Sequence, residues 1–253
     1  MKNVVLISMA ILLFAPGCCS NKTQSQTCPK GKQKTIKAAI VTGGHDFEEK
    51  EFFQMFDSLK GIEYTRKHQA DDSELFEDIN NWPYDVIVLY NMSQKISPHR
   101  QQNFLKLLDK GIGVVAVHHS IAAFQDWPEY RKIIGGKYFL SDGIENGVPH
   151  KRGGYKEGLN FTIRIEDKNH PITRGLNDFV VFDETYRYYF VDPPSRPILT
   201  TDAQTSEKVI GWVSACKKAR VCYIEPGHGA STYENENYRK LLSQAIRWSA
   251  GCD

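Results

Sequence analysis

The chain has 253 residues, of which 41% are hydrophobic and 25% are charged. This length and apolar content suffice for the core of one substantial α/β domain or two small ones. The 32 basic and 30 acidic residues are well mixed and give a net charge of +2, with no polybasic run. The sequence therefore argues against a nucleic-acid partner, which would require a basic patch or stripe.

The start of the chain predicts an export signal that is not part of the fold. A short basic start precedes an apolar run at 4–14, which is too short to span a bilayer as a stable helix. The small residue before Cys18 resembles the processing site of bacterial lipoproteins, although Ala15 replaces the usual leucine-like residue. We therefore expect residues 1–18 to be a lipoprotein-type signal peptide, with a lipid attached at Cys18.

The next stretch, residues 19–35, is polar, charged and punctuated by Gly and Pro, which is typical of a flexible tether. A lipid-anchored protein of the cell envelope is expected, on the periplasmic side or the outer surface. Simple secretion, which would leave a soluble periplasmic or extracellular protein, is the alternative. The pattern does not decide which membrane leaflet carries the anchor.

The cysteines allow two disulfide pairings in an oxidising compartment. Cys216 and Cys222 flank a predicted hairpin turn, and Cys28 and Cys252 bracket the folded region. Spacing alone decides neither pairing. The sequence contains no CxxC motif, so a structural zinc site is not expected.

The folded domain is expected at 36–253, and its first half alternates strands with helices. This alternation predicts a doubly wound, mostly parallel α/β sheet with helices on both faces and right-handed crossovers. The first predicted strand starts at 36 and runs into a glycine turn at 43–45; the others lie at 62–68, 85–90 and 113–117, and the predicted helices at 47–59, 74–79 and 98–110.

The second half predicts short helices, a long loop, an added β hairpin and a terminal helix. The loop at 141–158 is rich in glycine and polar residues, and is interpreted as a lid or substrate loop over the crevice, with disorder as the alternative. The remaining predicted elements are short helices at 120–124 and 128–134, strands at 160–166, 179–186, 196–201, 209–215 and 220–225, and a helix at 237–250.

The stretch GVVAVHHS at 113–120 organises the predicted fold. Its small and β-branched residues predict a strand buried on both faces, in the middle of a parallel sheet. The strand ends in His118 and His119, at the edge where open α/β sheets bind their ligands. A functional role is favoured for this pair, while helix capping and a hydrogen-bonded core position are the structural alternatives.

Two further turns place histidines at the same end of the predicted sheet. His45 follows the first strand and its glycine pair, and His228 follows the late strand 220–225. Together with His118 or His119, and with Glu184 as the acidic partner, these imidazoles could hold a divalent transition metal (zinc, manganese or nickel) and leave one position open for water or a carbonyl. Without a metal they could act as acid and base with Glu184, because histidine titrates near neutral pH.

Some neighbouring residues have structural interpretations. Glu184 could instead form a salt bridge with Arg174 or Arg187, and a structural ion pair is the preferred interpretation of Asp183. His170 precedes a proline in a predicted turn and is expected to organise that loop.

Five short motifs follow one another along the chain: TGGH at 42–45, VHHS at 117–120, HPITRGL at 170–176, DETY at 183–186 and GHG at 227–229. In this order they resemble the ThuA-like (trehalose utilisation) family over residues 36–251. The resemblance implies a flavodoxin-like sheet akin to the class I glutamine amidotransferases. In those enzymes a cysteine occupies the sharp turn after the central strand, whereas this chain has His118 there. Because a histidine cannot form the thioester, glutaminase activity is not expected.

The family association implies carbohydrate substrates, in particular 3-keto-glycosides or disaccharides that a partner sugar oxidoreductase supplies. A ketone at the third carbon acidifies the neighbouring C–H bond, so a base could remove that proton, after which the glycosidic group could leave. We therefore expect elimination or hydrolysis that is catalysed by histidines, with or without the help of a metal. The candidate catalytic residues are His118, His228 and Glu184, the candidate substrate contacts are His45, His119, Trp127 and Tyr186, and the candidate metal ligands are His45, His118 and His228.

Two other classes of function remain open. A non-catalytic, surface-tethered sugar-binding protein would use Trp127, Tyr186, Tyr188 and Tyr189 as stacking platforms. A hydrolase acting on amides or esters is less favoured, because the sequence contains no G-x-S-x-G elbow.

Overall fold

The structure is a computed structural model that describes residues 34–70, 72–145 and 147–252. The predicted signal peptide with Cys18, and all but the last residues of the predicted tether, lie outside the described residues. Within the described ranges no helix combines the length and apolar character needed to cross a membrane.

Strands and helices alternate at first, and strands dominate the second half of the chain. The strands are β1 Ile36–Gly43, β2 Ile62–His68, β3 Val86–Asn91, β4 Gly113–Val117, β5 Gly136–Tyr138, β6 Gly143–Glu145, β7 Val148–His150, β8 Gly154–Ile165, β9 Phe179–Arg187, β10 Tyr189–Val191, β11 Arg196–Thr200, β12 Val209–Cys216 and β13 Ala219–Ile224. The α-helices are α1 Glu49–Asp57, α2 Pro98–Asp109, α3 Pro128–Ile134, α4 Ala230–Glu234 and α5 Glu236–Ser249, and 3-10 turns lie at Glu74–Phe76 and His118–Ala122.

One 9-stranded sheet dominates the molecule, with strand order β2-β1-β3-β4-β13-β12-β11-β8-β9. Its first five strands pair in parallel, in the order that flavodoxin-like sheets adopt. The remaining pairs are antiparallel, so β12 and β8 run against all the others. The prediction of an α/β fold with a large, mostly parallel sheet is confirmed, and the predicted hairpin is β12–β13.

Side chains of the parallel strands enter two separate hydrophobic clusters, because successive residues of a strand point to opposite faces. Val88 of β3 belongs to a cluster with Phe52 of α1 and Tyr238 of α5. The next residue, Leu89, belongs to a cluster with Phe104 of α2 and with side chains of α3. Burial of each such side chain contributes about 1.5–3 kcal/mol. The sheet is therefore held between apolar layers, and its carboxyl edge remains available for the loops.

Helix boundaries follow local chemistry. Helix α2 has Pro98 at its first position, where the missing N–H costs no intrahelical hydrogen bond. Helix α5 is capped by Asn235, whose side-chain oxygen accepts from the amides of Asn237 and Tyr238. Both helices lie close to the predicted positions.

The prediction of a long unstructured loop at 141–158 is wrong. Strands β6 and β7 form a hairpin there, and β8 already begins at Gly154. The Glu145 carboxylate in this hairpin pairs with Arg131 at 2.6 Å and with Lys137 at 2.6 Å. These partly buried ion pairs order a segment whose composition alone predicts a loop.

The predicted pairing of Cys216 with Cys222 is also wrong. Both carry free thiols. In the register of the hairpin Cys216 lies opposite Ala219, and Cys222 lies opposite Val213, so the two cysteines do not face each other. Cys252 is disulfide-bonded, whereas Cys28 lies outside the described residues.

Candidate active site

Three side chains meet at the carboxyl edge of the sheet and form what we call the His–Glu–His triad: His118, Glu184 and His228. Glu184 Oε2 lies 3.0 Å from His118 Nε2 and 3.3 Å from His228 Nδ1, and the two ring nitrogens are 3.1 Å apart. The His118 side chain is fully buried, whereas that of His228 is 35% exposed. The triad is therefore approached from the His228 side. All three candidate catalytic residues are brought together.

His118 begins the 3-10 turn after β4 in a left-handed conformation, with φ of +53°. This conformation costs a residue with a β-carbon about 1 kcal/mol or more, and such strained positions cluster at functional sites. The Tyr223 hydroxyl donates to the His118 carbonyl oxygen at 3.0 Å and helps to hold the turn. The turn directs the imidazole back over the end of β13.

The hydrogen bonds of His118 decide which ring nitrogen carries its lone pair. Its Nδ1 lies 2.8 Å from the Glu225 carbonyl oxygen, which can only accept, so Nδ1–H is the donor. In the neutral ring Nε2 carries the lone pair and accepts from the Tyr186 hydroxyl at 2.8 Å. With a proton on Nε2 as well, the same nitrogen would donate to Glu184 Oε2, 3.0 Å away. Metal-binding histidines are commonly oriented in this way, by a hydrogen bond from their other ring nitrogen to a backbone carbonyl oxygen.

Asp183, next to Glu184 on β9, holds the turn that carries His228. Its carboxylate accepts from the amides of Gly227 at 2.7 Å, His228 at 2.9 Å and Glu184 at 2.8 Å. The Tyr90 hydroxyl donates to the Gly227 carbonyl oxygen at 2.8 Å. Asp183 thus has the structural role that the sequence favours, but through backbone amides instead of an ion pair.

Glu184 is ionised at neutral pH in spite of its burial. Burial raises the pKa of this carboxyl group, but hydrogen bonds from His118 and His228 outweigh that effect and hold the pKa at about 2. Within the described ranges the Glu184 carboxylate lies against these two imidazoles and forms no ion pair with Arg174 or Arg187. The structural alternative for Glu184 is therefore not what the molecule adopts.

The triad has the spacing of a metal site. A tetrahedral ion with ligand bonds of about 2.0 Å holds neighbouring ligand atoms about 3.3 Å apart, close to the separations in the triad. Two imidazoles and a carboxylate form a typical catalytic ligand set that leaves the fourth position open. His118, Glu184 and His228 could thus hold a metal ion. Two of the three predicted histidine ligands belong to this set, together with the predicted carboxylate, whereas His45 does not.

Residues 37–249 match the sequence model of the ThuA family, which is described as trehalose utilisation. The chain belongs to the ThuA family. The resemblance inferred from the five short motifs is thereby confirmed, and it covers almost all of the folded domain.

Solved structures show the same fold at low sequence identity. A ThuA-like protein from Parabacteroides merdae superposes with a TM-score of 0.71 at 18% identity, over 86% of this chain and 90% of that chain. One from Bacteroides uniformis gives 0.64 at 19% identity, over 88% of this chain and 94% of that chain. A β-galactosidase from Bacillus circulans gives 0.54 at 10% identity, over 85% of this chain but 31% of that chain. No curated protein matches the sequence.

In this ThuA-family protein the other two histidines of the predicted site stack beside the triad. The rings of His45 and His119 lie 4.4 Å apart and nearly parallel, and the His45 ring is 6.4 Å from that of His228. His119 Nε2 lies 3.3 Å from the Tyr90 carbonyl oxygen, while its buried Nδ1 has no partner among the described residues. Burial, then the neighbouring histidine charges, lower the pKa of His119 well below its usual value. His119 is thus a neutral ring with an unused acceptor.

The two aromatic residues predicted to contact substrate have other surroundings. The Trp127 ring packs among Phe104, Phe124 and Tyr130, and is 6% exposed. It borders a hollow of about 380 Å³ whose lining includes no triad residue. Tyr186 is buried and stacks on His118 with ring centroids 4.8 Å apart. Trp127 is therefore a core residue, and Tyr186 supports His118 instead of offering a stacking face.

Glu225 is a functional neighbour that the sequence reasoning missed. Its side chain is fully buried, accepts from the Tyr186 amide at 3.1 Å, and lies within hydrogen-bond distance of the Tyr189 hydroxyl, 2.7 Å from Oε2. Burial raises its pKa to about 8, although those hydrogen bonds act in the opposite direction. Its carbonyl oxygen orients His118. The available signal was its position at the end of β13, just before the turn that carries His228.

A β-bulge brings a second carboxylate toward the triad. The β8–β9 register shifts at Glu157 and Gly158, which lie opposite Glu184, and Gly158 adopts a φ of +70°. The pKa of His228 is raised mainly by its hydrogen bond to Glu184, and the charge of Glu157 adds to the effect. Bulges often re-aim side chains next to active sites. Gly158 stands at the end of the segment that the sequence predicts to be a loop, so the bulge was not predicted.

Proposed function

We propose that this ThuA-family protein is a carbohydrate-active enzyme that cleaves 3-keto-glycosides or disaccharides by elimination or hydrolysis, with a divalent transition metal at the His–Glu–His triad. The observation that carries the proposal is the spacing of the three donor atoms, 3.0 to 3.3 Å, with an open side at His228. The family's association with trehalose supports a sugar substrate. Zinc, manganese and nickel all suit a ligand set of imidazoles and a carboxylate.

The residues around the triad fit the proton transfers of an elimination. A bound metal would polarise the ketone oxygen or activate a water molecule. His45 is exposed, and its Nδ1–H donates to the Asp46 carbonyl oxygen at 2.6 Å, which leaves Nε2 free to take the proton from the carbon beside the ketone. The unpartnered Nδ1 of His119 would accept a hydrogen bond from a sugar hydroxyl.

The same residues also suit chemistry without a metal. His228 and Glu184 form a hydrogen-bonded pair in which the pKa of the imidazole is raised, mainly by that hydrogen bond. Such a pair can donate and accept a proton near neutral pH. Measurement of bound metal distinguishes the two chemistries.

The cellular setting is part of the proposal. A lipid at Cys18 would hold the enzyme in the cell envelope, in the periplasm or on the outer surface. A partner sugar oxidoreductase would supply the ketone at the third carbon. These statements depend on the pattern of the first residues and on the chemistry of the substrate, and residues 1–33 lie outside the described structure.

The test uses the purified protein with 3-keto-trehalose and a 3-keto-glucoside, assayed with and without added zinc, manganese or nickel. We expect turnover, a stoichiometric metal by elemental analysis, and loss of both in His118→Ala and His228→Ala. His99→Ala, which changes an exposed histidine of α2, is the matched control and should keep both.

Two outcomes would contradict the proposal. Absence of turnover under every metal condition would remove the enzyme assignment. Sugar binding that calorimetry finds unchanged by a chelator, together with that absence, would instead support a surface-tethered sugar-binding protein. Turnover without any bound metal would support the proposed enzyme activity and contradict the proposed metal.

A further inference from the structure

Tyr138, at the end of β5, has a ring whose position is closely constrained. A β-carbon placed on Gly153 would lie 2.3 Å from Tyr138 Cζ, so the glycine backbone packs directly against the ring. On another side the ring lies 5.2 Å from that of Tyr186, whose hydroxyl bonds His118. Tyr138 is therefore one ring removed from the triad, and its side chain has little freedom to move.

The Tyr138 hydroxyl is not used by the fold. The residue is 7% exposed, and within the described part of the chain its hydroxyl makes no hydrogen bond and is not one of the fully enclosed polar atoms that lack a partner. The hydroxyl therefore reaches solvent, where it can donate to a bound molecule.

Packing places the Tyr138 ring beside the triad, because it lies against the ring of Tyr186, whose hydroxyl bonds His118. Burial, followed by the nearby charge of Glu184, raises the pKa of Tyr138 to about 12, although the charge of Arg152 acts in the opposite direction. The phenol is consequently protonated at any pH at which the protein would work. It offers an O–H donor in a layer that Gly153 and Tyr186 hold in place.

We propose that Tyr138 is the proton donor to the departing glycosidic oxygen; this inference rests on the proposed elimination. A base first takes the proton beside the ketone, and the electron pair is held as an enolate. The ketone then re-forms, a double bond forms between the first and second carbons, and the bond from the first carbon to the glycosidic oxygen breaks. That oxygen takes the Tyr138 proton, and the phenolate is reprotonated by the proton that the base removed. No oxidant or reductant is consumed.

The experiment compares two leaving groups in Tyr138→Phe, a change that keeps the ring against Gly153. One substrate is 3-keto-trehalose, whose leaving sugar needs a proton. The other is 4-nitrophenyl 3-keto-glucoside, whose leaving phenolate is stable without one. We expect kcat to fall about 100-fold or more for the first substrate and less than about 3-fold for the second, because general acids typically contribute about 10²–10⁴-fold.

Tyr64→Phe is the matched control, because this partly exposed residue of β2 bonds Asp57 on the surface. It should leave both rates unchanged. Unchanged circular dichroism and melting temperature of Tyr138→Phe would show that the fold is retained. An equal loss for both substrates, or no loss for either, overturns the role of Tyr138 while the proposed function stands. Wild-type protein that converts neither substrate overturns the proposed function and this inference with it.

Discussion

Glu184 and Glu225 are two buried carboxyl groups that the protein holds in opposite ionisation states. Glu184 faces two imidazoles, whose hydrogen bonds outweigh burial and hold its pKa at about 2. Glu225 faces an amide and neutral hydroxyl groups, so burial dominates and raises its pKa to about 8. Pairs of carboxyl groups separated in this way are typical of catalytic sites. At neutral pH the first is an anion at the triad and the second is a neutral acid beneath it.

The neutral form of Glu225 also fits its hydrogen bonds. The Tyr189 hydroxyl has one proton, yet it lies within bonding distance of both the Val209 carbonyl oxygen and Glu225 Oε2. If Tyr189 donates to Val209, a protonated Glu225 can donate to the Tyr189 oxygen. A charged carboxylate would leave one of these contacts without a proton.

A prediction at the residue scale concerns stability and pH. In the unfolded chain Glu225 ionises near pH 4.5, whereas in the folded protein it keeps its proton up to about pH 8. Unfolding between these values therefore releases a proton, so this group makes stability fall as pH rises, by about 1.4 kcal/mol per pH unit. Its contribution is constant below and above that window. Glu225→Gln, which stays neutral, should remove this slope from the free energy of unfolding.

Urea unfolding at several pH values from 5 to 8 measures that slope. Glu207→Gln, a change to another carboxyl group of the neighbouring loop, is the control and should keep the slope of the wild type. Equal slopes in the wild type and Glu225→Gln would mean that the buried carboxyl group is ionised in the folded protein.

At the scale of elements, the triad depends on how β9 meets the turn after β13. The antiparallel half of the sheet ends in β9, and Asp183 of this strand accepts three amide hydrogen bonds, two of them from the turn that carries His228. Residue 184 then faces His118 and His228. The contact between Asp183 and this turn therefore positions both the Glu184 carboxylate and the His228 imidazole.

Asp183→Asn should weaken that contact. The amide NH₂ of asparagine would face a backbone N–H in place of an acceptor, and hydrogen bonds to a charged group are worth about 1.5–3 kcal/mol. We expect the free energy of unfolding to fall by about 2–3 kcal/mol, with bound metal reduced because His228 is less well held. Urea unfolding and elemental analysis measure the two effects.

Asp202→Asn is the control for that change, because Asp202 is an exposed partner of Arg164. Exposed pairs contribute about 1 kcal/mol or less. If Asp183→Asn were as stable as this control, the amide contacts of Asp183 would not hold the turn.

At the scale of the whole molecule, the triad joins distant parts of the chain. His118 and His228 are separated by 110 residues, and they become neighbours only because β13 pairs beside β4 in the finished sheet. A ligand that binds the folded protein but not the unfolded chain stabilises the fold. Metal binding at the triad should therefore be visible as a change in global stability.

Zinc, manganese or nickel at about 100 times its dissociation constant should add about 2.7 kcal/mol, which corresponds to a rise in melting temperature of about 5–10 °C. His118→Ala should lose this rise, and His99→Ala should keep it. Calorimetry with and without each metal measures the shift. A rise of equal size in His118→Ala would place the bound metal elsewhere.

Local patterns in the sequence were sufficient for the parallel half of the fold. The run of β-branched residues at 113–117 and the periodic apolar residues of α2 and α5 predict structures that depend on near neighbours. The histidines at 45, 118 and 228 could be placed at one edge of the sheet, because strands that run in parallel end at the same edge. The family resemblance required only short motifs.

Contacts between distant segments decided the rest. Glu184, and not His45, lies within ligand distance of His118 and His228 because β9 packs against the turn after β13, and no local pattern encodes that packing. The ordered hairpin at Glu145 depends on cations of other elements. The ionisation of Glu225 depends on burial. The sequence by itself determined the type of sheet and the edge of the sheet at which the candidate site lies. The tertiary structure alone decided which atoms meet at that edge, because the spacing and charge of these atoms are set by residues far apart in the chain.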